Sequence, residues 1–199
     1  MTPPLRPIRI AVLGSTRGTD LEAILDAIHH GTLYGAVDIV ISNKPDAYIL
    51  ERARRHGIEA HFLDPAGKTR EAFDEAVMKT LDEKKIDLVL LIGYMRFLSP
   101  GFVARWRSHV MNVHPSLLPA FAGGMDMNVH QAVLDAGVTE TGCTIHYVDE
   151  GADTGPIIVQ KKCSVDPEDT VETLKAKVQT LEGEAFIEAI QSFQKTYDR

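Results

Sequence analysis

The stretch Leu88-Val89-Leu90-Leu91-Ile92 is an unbroken apolar run near the middle of this 199-residue chain. A run of this length without polar alternation is typical of a central strand that is buried on both faces of a parallel sheet. We therefore place it at the centre of the fold and interpret the remaining sequence as the elements that surround it.

Helical and strand-like patterns alternate on both sides of this run. The spacing i, i+3, i+4 and i+7 of Leu21, Ile24, Leu25 and Ile28 predicts a helix that ends at Gly31. Further strands are expected at residues 8–13, 37–41, 59–63, 110–113, 143–148 and 156–163. Further helices are expected at residues 47–55, around Phe73, Val77 and Leu81, at residues 102–106 and 129–136, and along Val171, Leu174, Val178 and Leu181. Such alternation predicts an α/β fold: a Rossmann-like, mostly parallel twisted sheet with helices on both faces.

Composition restricts the class of protein. The formal net charge of −7 argues against binding to nucleic acid, because such binding depends on Lys and Arg neutralising phosphates. No segment approaches the roughly 18 apolar residues that span a bilayer, so we expect no membrane association and a cytoplasmic location. Cys143 and Cys163 lie in strand-like segments without metal-ligand spacing, and we interpret both as core residues.

The turn after the first predicted strand is a candidate phosphate site. Residues 14–20 read Gly-Ser-Thr-Arg-Gly-Thr-Asp, without the glycine spacing of dinucleotide sites or the Gly-Lys-Ser ending of a P-loop. A glycine-bracketed turn that opens a helix still presents free backbone N–H groups to an anion. The alternative is a tight turn in which Thr19 or Asp20 caps the helix.

The side chains of three polar residues are chemically suited to catalysing acyl transfer. Asn112 offers an amide that donates to a developing oxyanion, His114 an imidazole that titrates near neutrality, and Asp153 a carboxylate that can orient it. On spacing alone, Asn112 and His114 are equally suited to satisfying loop backbone groups, and Asp153 to forming a turn with its own backbone.

The wider sequence around these residues resembles a known family. Residues 112–119 (Asn-Val-His-Pro-Ser-Leu-Leu-Pro), with residues 141–146 and 153–158, are similar to the folate-dependent formyltransferases. Along its whole length the chain resembles the branch that acts on glycinamide ribonucleotide. The resemblance implies a single formyltransferase domain over residues 1–199, with a nucleotide-binding-like half at about 8–110 and a catalytic, folate-binding half at about 111–199.

The resemblance also implies the reaction. A formyl group would pass from 10-formyltetrahydrofolate to the primary amine of glycinamide ribonucleotide in purine synthesis, by direct attack and without a metal. Asn112 would hold the oxyanion, His114 would act as acid and base, and Asp153 would orient the imidazole. His146 also matches a family position, and we interpret it as support for its strand.

The same resemblance implies two binding pockets. The folate pocket would comprise Met95, Arg96, Phe97 and Leu98 around the bicyclic ring, with Arg70 and Arg96 near the glutamate tail. The nucleotide pocket would comprise Ser15, Thr16, Arg17, Gly18 and Gln179 around the phosphate, with Glu182 at the ribose hydroxyls. Without the resemblance, the two arginines would be interpreted as solvated, and Gln179 and Glu182 as exposed helix residues.

Two departures from the family pattern leave the acceptor open. Residues 15–21 read Ser-Thr-Arg-Gly-Thr-Asp-Leu where the family usually has Ser-Gly-Asn-Gly-Ser-Asn-Leu, and the loop at residues 121–130 is longer than usual. The alternatives are a formyltransferase for another amine such as an amino sugar nucleotide, a 10-formyltetrahydrofolate hydrolase, and a non-catalytic folate- or nucleotide-binding module. In each case the partners are small molecules, and the protein would be a monomer or homodimer.

Overall fold

Alternate residues of the central strands enter two different cores. In the computed structural model, which describes residues 6–124 and 126–197, Ile10 and Val12 of the first strand pack in one apolar cluster while Ala11 and Leu13 pack in another. The central run divides in the same way, with Leu88 and Leu90 on one face and Val89 and Leu91 on the other. The predicted burial of this strand on both faces is confirmed.

The elements follow one another in an α/β order. The strands are β1 (Ile8–Leu13), β2 (Gly35–Ser42), β3 (Glu59–Phe62), β4 (Leu88–Leu91), β5 (Val110–His114), β6 (Glu140–Tyr147) and β7 (Ile157–Ser164). The helices are α1 (Thr19–His29), α2 (Tyr48–Arg55), α3 (Arg70–Glu83), α4 (Pro100–Arg105), α5 (Asp126–Asp135) and α6 (Val171–Tyr197).

All seven strands form one sheet in the order β3-β2-β1-β4-β5-β6-β7. Pairing is parallel from β3 to β5, and β6 and β7 add an antiparallel hairpin at one edge. The chain winds outward from β1 in one direction and from β4 in the other, which creates a topological switch point between these two strands. The mostly parallel sheet is confirmed, and its division into two halves near residue 110 stays a prediction.

Helices cover both faces of the sheet. Residues of α1, α2 and α6 complete the first core, and residues of α3 and α4 complete the second. Helix α5 packs on α6 through Val129, Val133 and Leu174. Within the described ranges, no helix has both the length and the apolar character needed to cross a bilayer.

Several element boundaries differ from those predicted. Strand β6 begins at Glu140 rather than at residue 143, because Glu140 pairs with Ser164 and extends the hairpin. Helix α4 begins at Pro100, since the Ser99 hydroxyl caps it by accepting the Phe102 N–H at 3.2 Å. Helix α5 begins at Asp126 rather than at residue 129, and residue 125 of the predicted loop lies outside the described residues.

Candidate active site

The loops that follow β1, β4 and β5 leave the sheet at the same edge. Leu13 is in register with Leu91, and Leu91 is in register with Asn112. Because these strands are parallel and flank the switch point, the segments that continue from them border one crevice. The topology therefore gathers residues 14–18, 93–98 and 112–116 at a single place.

Asn112 faces a histidine on the neighbouring strand. Asn112 of β5 is in register with His146 of β6, and Asn112 Nδ2 lies 3.2 Å from His146 Nε2. His146 Nδ1 lies 2.9 Å from the Tyr147 carbonyl oxygen and donates to it, which leaves Nε2 of the neutral ring to accept from the amide. His146 Nε2 is also 3.5 Å from Asp153 Oδ1. The His146 ring thus contacts two of the candidate catalytic residues, and its interpretation as support for its strand stays a prediction.

His114 has an oxygen acceptor at each ring nitrogen. Its Nδ1 lies 3.1 Å from Asp153 Oδ2, and its Nε2 lies 2.9 Å from the Phe121 carbonyl oxygen. The side chain is only 3% exposed. Because neither acceptor can supply a proton, the doubly protonated imidazolium satisfies both contacts at once.

Asp153 lies in the connection between β6 and β7 with a left-handed backbone, φ 57°. Aspartate tolerates this conformation better than most residues. Burial would by itself raise the pKa of Asp153, but hydrogen bonds from His114 and from the Gly123 N–H lower the pKa by a larger amount. The net pKa lies well below the ordinary value of a carboxyl group, so Asp153 is held as an anion.

The turn that carries His114 is held by side chains outside the predicted site. The Thr144 hydroxyl donates to the Ser116 carbonyl at 2.7 Å and accepts the Leu118 N–H at 3.0 Å. The Gln160 amide donates to the Leu118 carbonyl at 3.0 Å. Thr144 lies within the family motif at residues 141–146, so its importance could have been predicted. The sequence around Gln160 has no motif that would have indicated a role for it.

The loop before α1 leaves its backbone donors available. Gly18 is the N-cap residue with φ 67°, and no side chain caps the helix, so the alternative in which Thr19 or Asp20 caps it is wrong. Among the residues that the structure describes, none accepts a hydrogen bond from the N–H groups of residues 16–20. A Cβ atom at Gly18 would lie 2.3 Å from Ile49 Cγ1, so glycine is required by close packing as well as by φ.

The side chains of this loop have different tasks. The Ser15 hydroxyl donates to Asn43 Oδ1 at 2.6 Å and accepts the Met95 N–H at 2.9 Å, which ties the loop after β1 to the loop after β4. Thr16 and Arg17 are exposed, and the Arg17 guanidinium lies 5.4 Å from the centre of the Tyr48 ring. Asn43 was missed because nothing in its local sequence distinguishes it.

The predicted folate residues after β4 divide into exposed and packed side chains. Met95 is 41% exposed and Phe97 64%, although both are large and apolar. Leu98 instead packs against the second core. Two apolar side chains left open beside the switch point are suited to contact a planar ring.

The two predicted folate arginines are held differently. The Arg96 guanidinium carbon lies 4.4 Å from the centre of the Phe73 ring, and the side chain is hydrogen bonded to Tyr94. Its Nε atom is buried without a hydrogen-bond partner among the described residues. Arg70 begins α3 at the surface, where its Nε atom lies 3.4 Å from Oε1 of the adjacent Glu71. Both arginines retain N–H groups that could hold a carboxylate.

Gln179 and Glu182 lie on α6, the helix that packs along α1 in the first core. Gln179 is half-buried. Glu182 is only 8% exposed and is hydrogen bonded to Asp20 at the start of α1. The expectation that an unassigned Glu182 would be an exposed helix residue is therefore wrong.

Comparison with known proteins identifies the family. Residues 8–190 match the family described as Formyl transferase. The chain belongs to this family. Over 93% of its length it is 39% identical to a phosphoribosylglycinamide formyltransferase of Haemophilus influenzae, and it covers 86% of that protein. The resemblance to formyltransferases found in the sequence is thus confirmed.

Two further comparisons extend this family assignment. A crystal structure of glycinamide ribonucleotide transformylase 1 from Symbiobacterium toebii is 43% identical with a TM-score of 0.91, covering 96% of this chain and 89% of that one. A trifunctional purine biosynthetic protein of Bos taurus is 44% identical over 92% of this chain, but the chain spans only 18% of that relative's length. The fold and family therefore rest on relatives of similar length.

Proposed function

We propose that the protein transfers a formyl group from 10-formyltetrahydrofolate to the primary amine of glycinamide ribonucleotide. The proposal is carried by the 3.1 Å contact between His114 and Asp153, with Asn112 two residues before His114 on β5. Residues i and i+2 of a strand point to the same face, so the amide and the imidazole serve one reacting centre. The names of the similar enzymes support the choice of glycinamide ribonucleotide as the acceptor, and membership of the formyltransferase family supports the folate donor.

The Asn112 amide and the His114 imidazole act on different atoms of the reacting groups. The substrate amine forms a bond to the formyl carbon, and the Asn112 amide donates to the oxygen that becomes negative. His114 then protonates the folate nitrogen as the carbon–nitrogen bond to it breaks and the electron pair moves onto that nitrogen. The proton that the attacking amine releases restores the imidazolium. No covalent bond to the protein is formed.

Asp153 and the Phe121 carbonyl keep His114 ready for this transfer. Asp153 stabilises the imidazolium at Nδ1 throughout. The Nε2 atom exchanges the Phe121 carbonyl for the substrate when the proton moves, because both nitrogens are otherwise engaged. The loop that carries Phe121 is tied to Asp153 by the Gly123 N–H, so its position responds to the same carboxylate.

The folate and the nucleotide would lie on opposite sides of this centre. Met95 and Phe97 would cover the folate ring, and Arg70 and Arg96 would bind its carboxylates. The N–H groups of residues 16–20 and the Arg17 side chain would bind the nucleotide phosphate, with Gln179 and Ser15 beside it. Glu182 would accept hydrogen bonds from the ribose hydroxyls.

A direct assay tests the proposal. The purified protein is incubated with 10-formyltetrahydrofolate and glycinamide ribonucleotide, and the products are quantified by mass spectrometry. We expect formylated nucleotide and tetrahydrofolate in equal amounts. Turnover only with an amino sugar nucleotide or another amine would identify that amine as the acceptor in place of glycinamide ribonucleotide. Release of formate without any acceptor would indicate a hydrolase, and binding without turnover a non-catalytic module.

A further inference from the structure

Helix α2 holds two carbonyl groups of the loop that precedes α1. The Ile49 N–H, in the first turn of α2, donates to the Thr16 carbonyl oxygen at 3.1 Å. The Arg52 Nε–H, about one turn further along the same helix, donates to the Arg17 carbonyl oxygen at 2.9 Å. The loop is therefore attached to α2 through the backbone of two consecutive residues.

These contacts fix the direction of two peptide N–H groups. A trans peptide group is planar, so its C=O and N–H bonds point in opposite directions. The Thr16 carbonyl shares its peptide group with the Arg17 N–H, and the Arg17 carbonyl shares its peptide group with the Gly18 N–H. Because both carbonyls point toward α2, both N–H groups point away from it.

The side of the loop opposite α2 borders the proposed nucleotide pocket. Helix α2 follows β2, which pairs with β1 on one side, whereas β4 pairs with β1 on the other. The N–H groups that point away from α2 therefore face the crevice between the loops after β1 and β4. Among the described residues, no acceptor binds the N–H of Arg17 or of Gly18, so both donors are available to an anion.

A carboxylate of α1 holds the Arg52 side chain in place. Arg52 Nη1 lies 2.7 Å from Glu22 Oε2, and Glu22 Oε1 lies 2.7 Å from His56 Nε2. The Arg52 side chain is only 19% exposed. Because its Nε and Nη1 atoms bind different partners, Arg52 joins α1, α2 and the loop between β1 and α1 at one point.

Arg55 adds a similar charge to the same surface but binds other groups. Its guanidinium lies 5.5 Å from the centre of the Tyr48 ring, close to the 5.2 Å of Arg52. Arg55 Nη1 donates to the Tyr48 hydroxyl at 2.9 Å, and Arg55 Nε pairs with Glu51 at 3.0 Å. Arg55 therefore provides a control for the effect of charge alone.

On the basis of the proposed function, we propose that Arg52 is a positioning residue that directs the N–H groups of residues 17 and 18 toward the phosphate of the nucleotide. Its effect on the phosphate passes through the loop backbone. Loss of the Nε donor frees the peptide group between Arg17 and Gly18 to rotate, so the phosphate loses a preorganised donor. Nucleotide affinity then falls, while folate binding and the chemistry at His114 are unchanged.

Two variants of similar side-chain length separate this role from the charge of Arg52. In Arg52→Gln, the amide nitrogen is as many bonds from the backbone as the arginine Nε, so a neutral donor to the Arg17 carbonyl is kept. Arg52→Met has neither the donor nor the charge. Arg55→Met removes one charge from the same surface. KM for the nucleotide, KM for the folate and kcat are measured for the wild type and these variants.

We expect Arg52→Met to raise the nucleotide KM about tenfold, which corresponds to the loss of one hydrogen bond, and to leave kcat and the folate KM within about twofold of the wild type. Arg52→Gln should raise the nucleotide KM by about threefold at most, and Arg55→Met by about twofold at most. Equal nucleotide KM values for Arg52→Gln and Arg52→Met would assign the effect to charge and overturn the proposal. A wild-type value for Arg52→Met would overturn it too.

Glu22→Met provides a second test, in which charge and positioning have opposite effects. Removal of a negative charge near a bound phosphate would by electrostatics alone lower the nucleotide KM. Removal of the carboxylate that holds Arg52 should instead raise the nucleotide KM about threefold. A lower nucleotide KM would show that charge rather than the position of Arg52 controls affinity, and would overturn the proposal. This test also applies if Arg52→Met does not fold.

Calorimetric titration with ribose 5-phosphate distinguishes failure of this proposal from failure of the proposed function, because it requires no turnover. If the wild type turns over glycinamide ribonucleotide but Arg52→Met binds ribose 5-phosphate as tightly as the wild type, only the positioning role is overturned. Absence of turnover by the wild type overturns the proposed function. The role of Arg52 toward a sugar phosphate then stands if Arg52→Met binds ribose 5-phosphate more weakly than Arg52→Gln, and is overturned if the two bind equally.

Discussion

His114 Nδ1 lies 3.1 Å from Asp153 Oδ2, although 38 positions separate the two residues along the chain. The imidazole and the carboxylate are brought together because β5 and β6 are neighbouring antiparallel strands, and because the connection after β6 returns to the end of β5. The contact holds Asp153 as an anion and His114 as its hydrogen-bonded partner.

Asn112→Ala should lower kcat about a hundredfold, since loss of one oxyanion donor typically has an effect of this order. The KM values should change little, because the amide acts mainly on the transition state. Asn128→Ala, at an exposed position of α5, is the matched control. Steady-state kinetics together with circular dichroism of both variants provide the check. A fully active, folded Asn112→Ala variant would remove Asn112 from the catalytic assignment.

Asp153→Asn should lower kcat by roughly a hundredfold, because the imidazolium loses its anionic partner. It should also change the dependence of stability on pH. A carboxyl group with a depressed folded-state pKa stabilises the fold above its unfolded-state value of 3.8 and loses this contribution as pH falls through the depressed value. Urea unfolding from pH 7 to pH 3 should therefore show the wild type's advantage over the variant shrinking in acid. An advantage that is constant with pH would contradict the assignment of charge.

His146→Phe should lower kcat about tenfold, which corresponds to one hydrogen bond of roughly 1.4 kcal/mol to the Asn112 amide. The ring volume is kept, so the buried site should stay packed. His61→Phe, at an exposed position of β3, is the control. The kcat of the two variants is measured from pH 6 to pH 9. A variant with the kcat and pH profile of the wild type would favour the interpretation of His146 as strand support.

Arg17→Ala should raise the nucleotide KM about tenfold while leaving the folate KM unchanged, because one charge-assisted hydrogen bond to phosphate is lost. Arg54→Ala, at an exposed position of α2, provides the comparison. The nucleotide KM should also rise more steeply with salt in the wild type than in Arg17→Ala. Equal nucleotide KM values for Arg17→Ala and the wild type would indicate that Arg17 does not bind the nucleotide phosphate.

Gly183→Ala should destabilise the protein by roughly 1–3 kcal/mol, because the added methyl group overpacks the contact between α6 and α1. Chemical denaturation measures this change. Gly101→Ala is the control, since a Cβ atom at Gly101 meets nothing within 4 Å. If Gly183→Ala were as stable as the wild type, the two helices would not be in close contact at this position.

Much of the fold was predictable because periodicity reports which faces of an element are buried. The alternation of strands and helices, the central strand at residues 88–92 and the mostly parallel sheet all follow from local patterns of apolar residues. Boundaries such as the start of β6 at Glu140 were not predictable, because they depend on pairing with a distant strand. Helix α5 likewise begins at Asp126, three residues before its predicted start.

The amino-acid sequence by itself determined the chemical inventory of this protein, since the side chains of Asn112, His114 and Asp153 carry their donor, acid–base and anionic character wherever they lie. Only the tertiary structure decided which groups meet. It placed His146 between Asn112 and Asp153, engaged the Ser15 hydroxyl with Asn43, and buried Asp20 against Glu182. These contacts join residues far apart in the chain, and their strength depends on burial and distance, which only the folded arrangement of strands and helices sets.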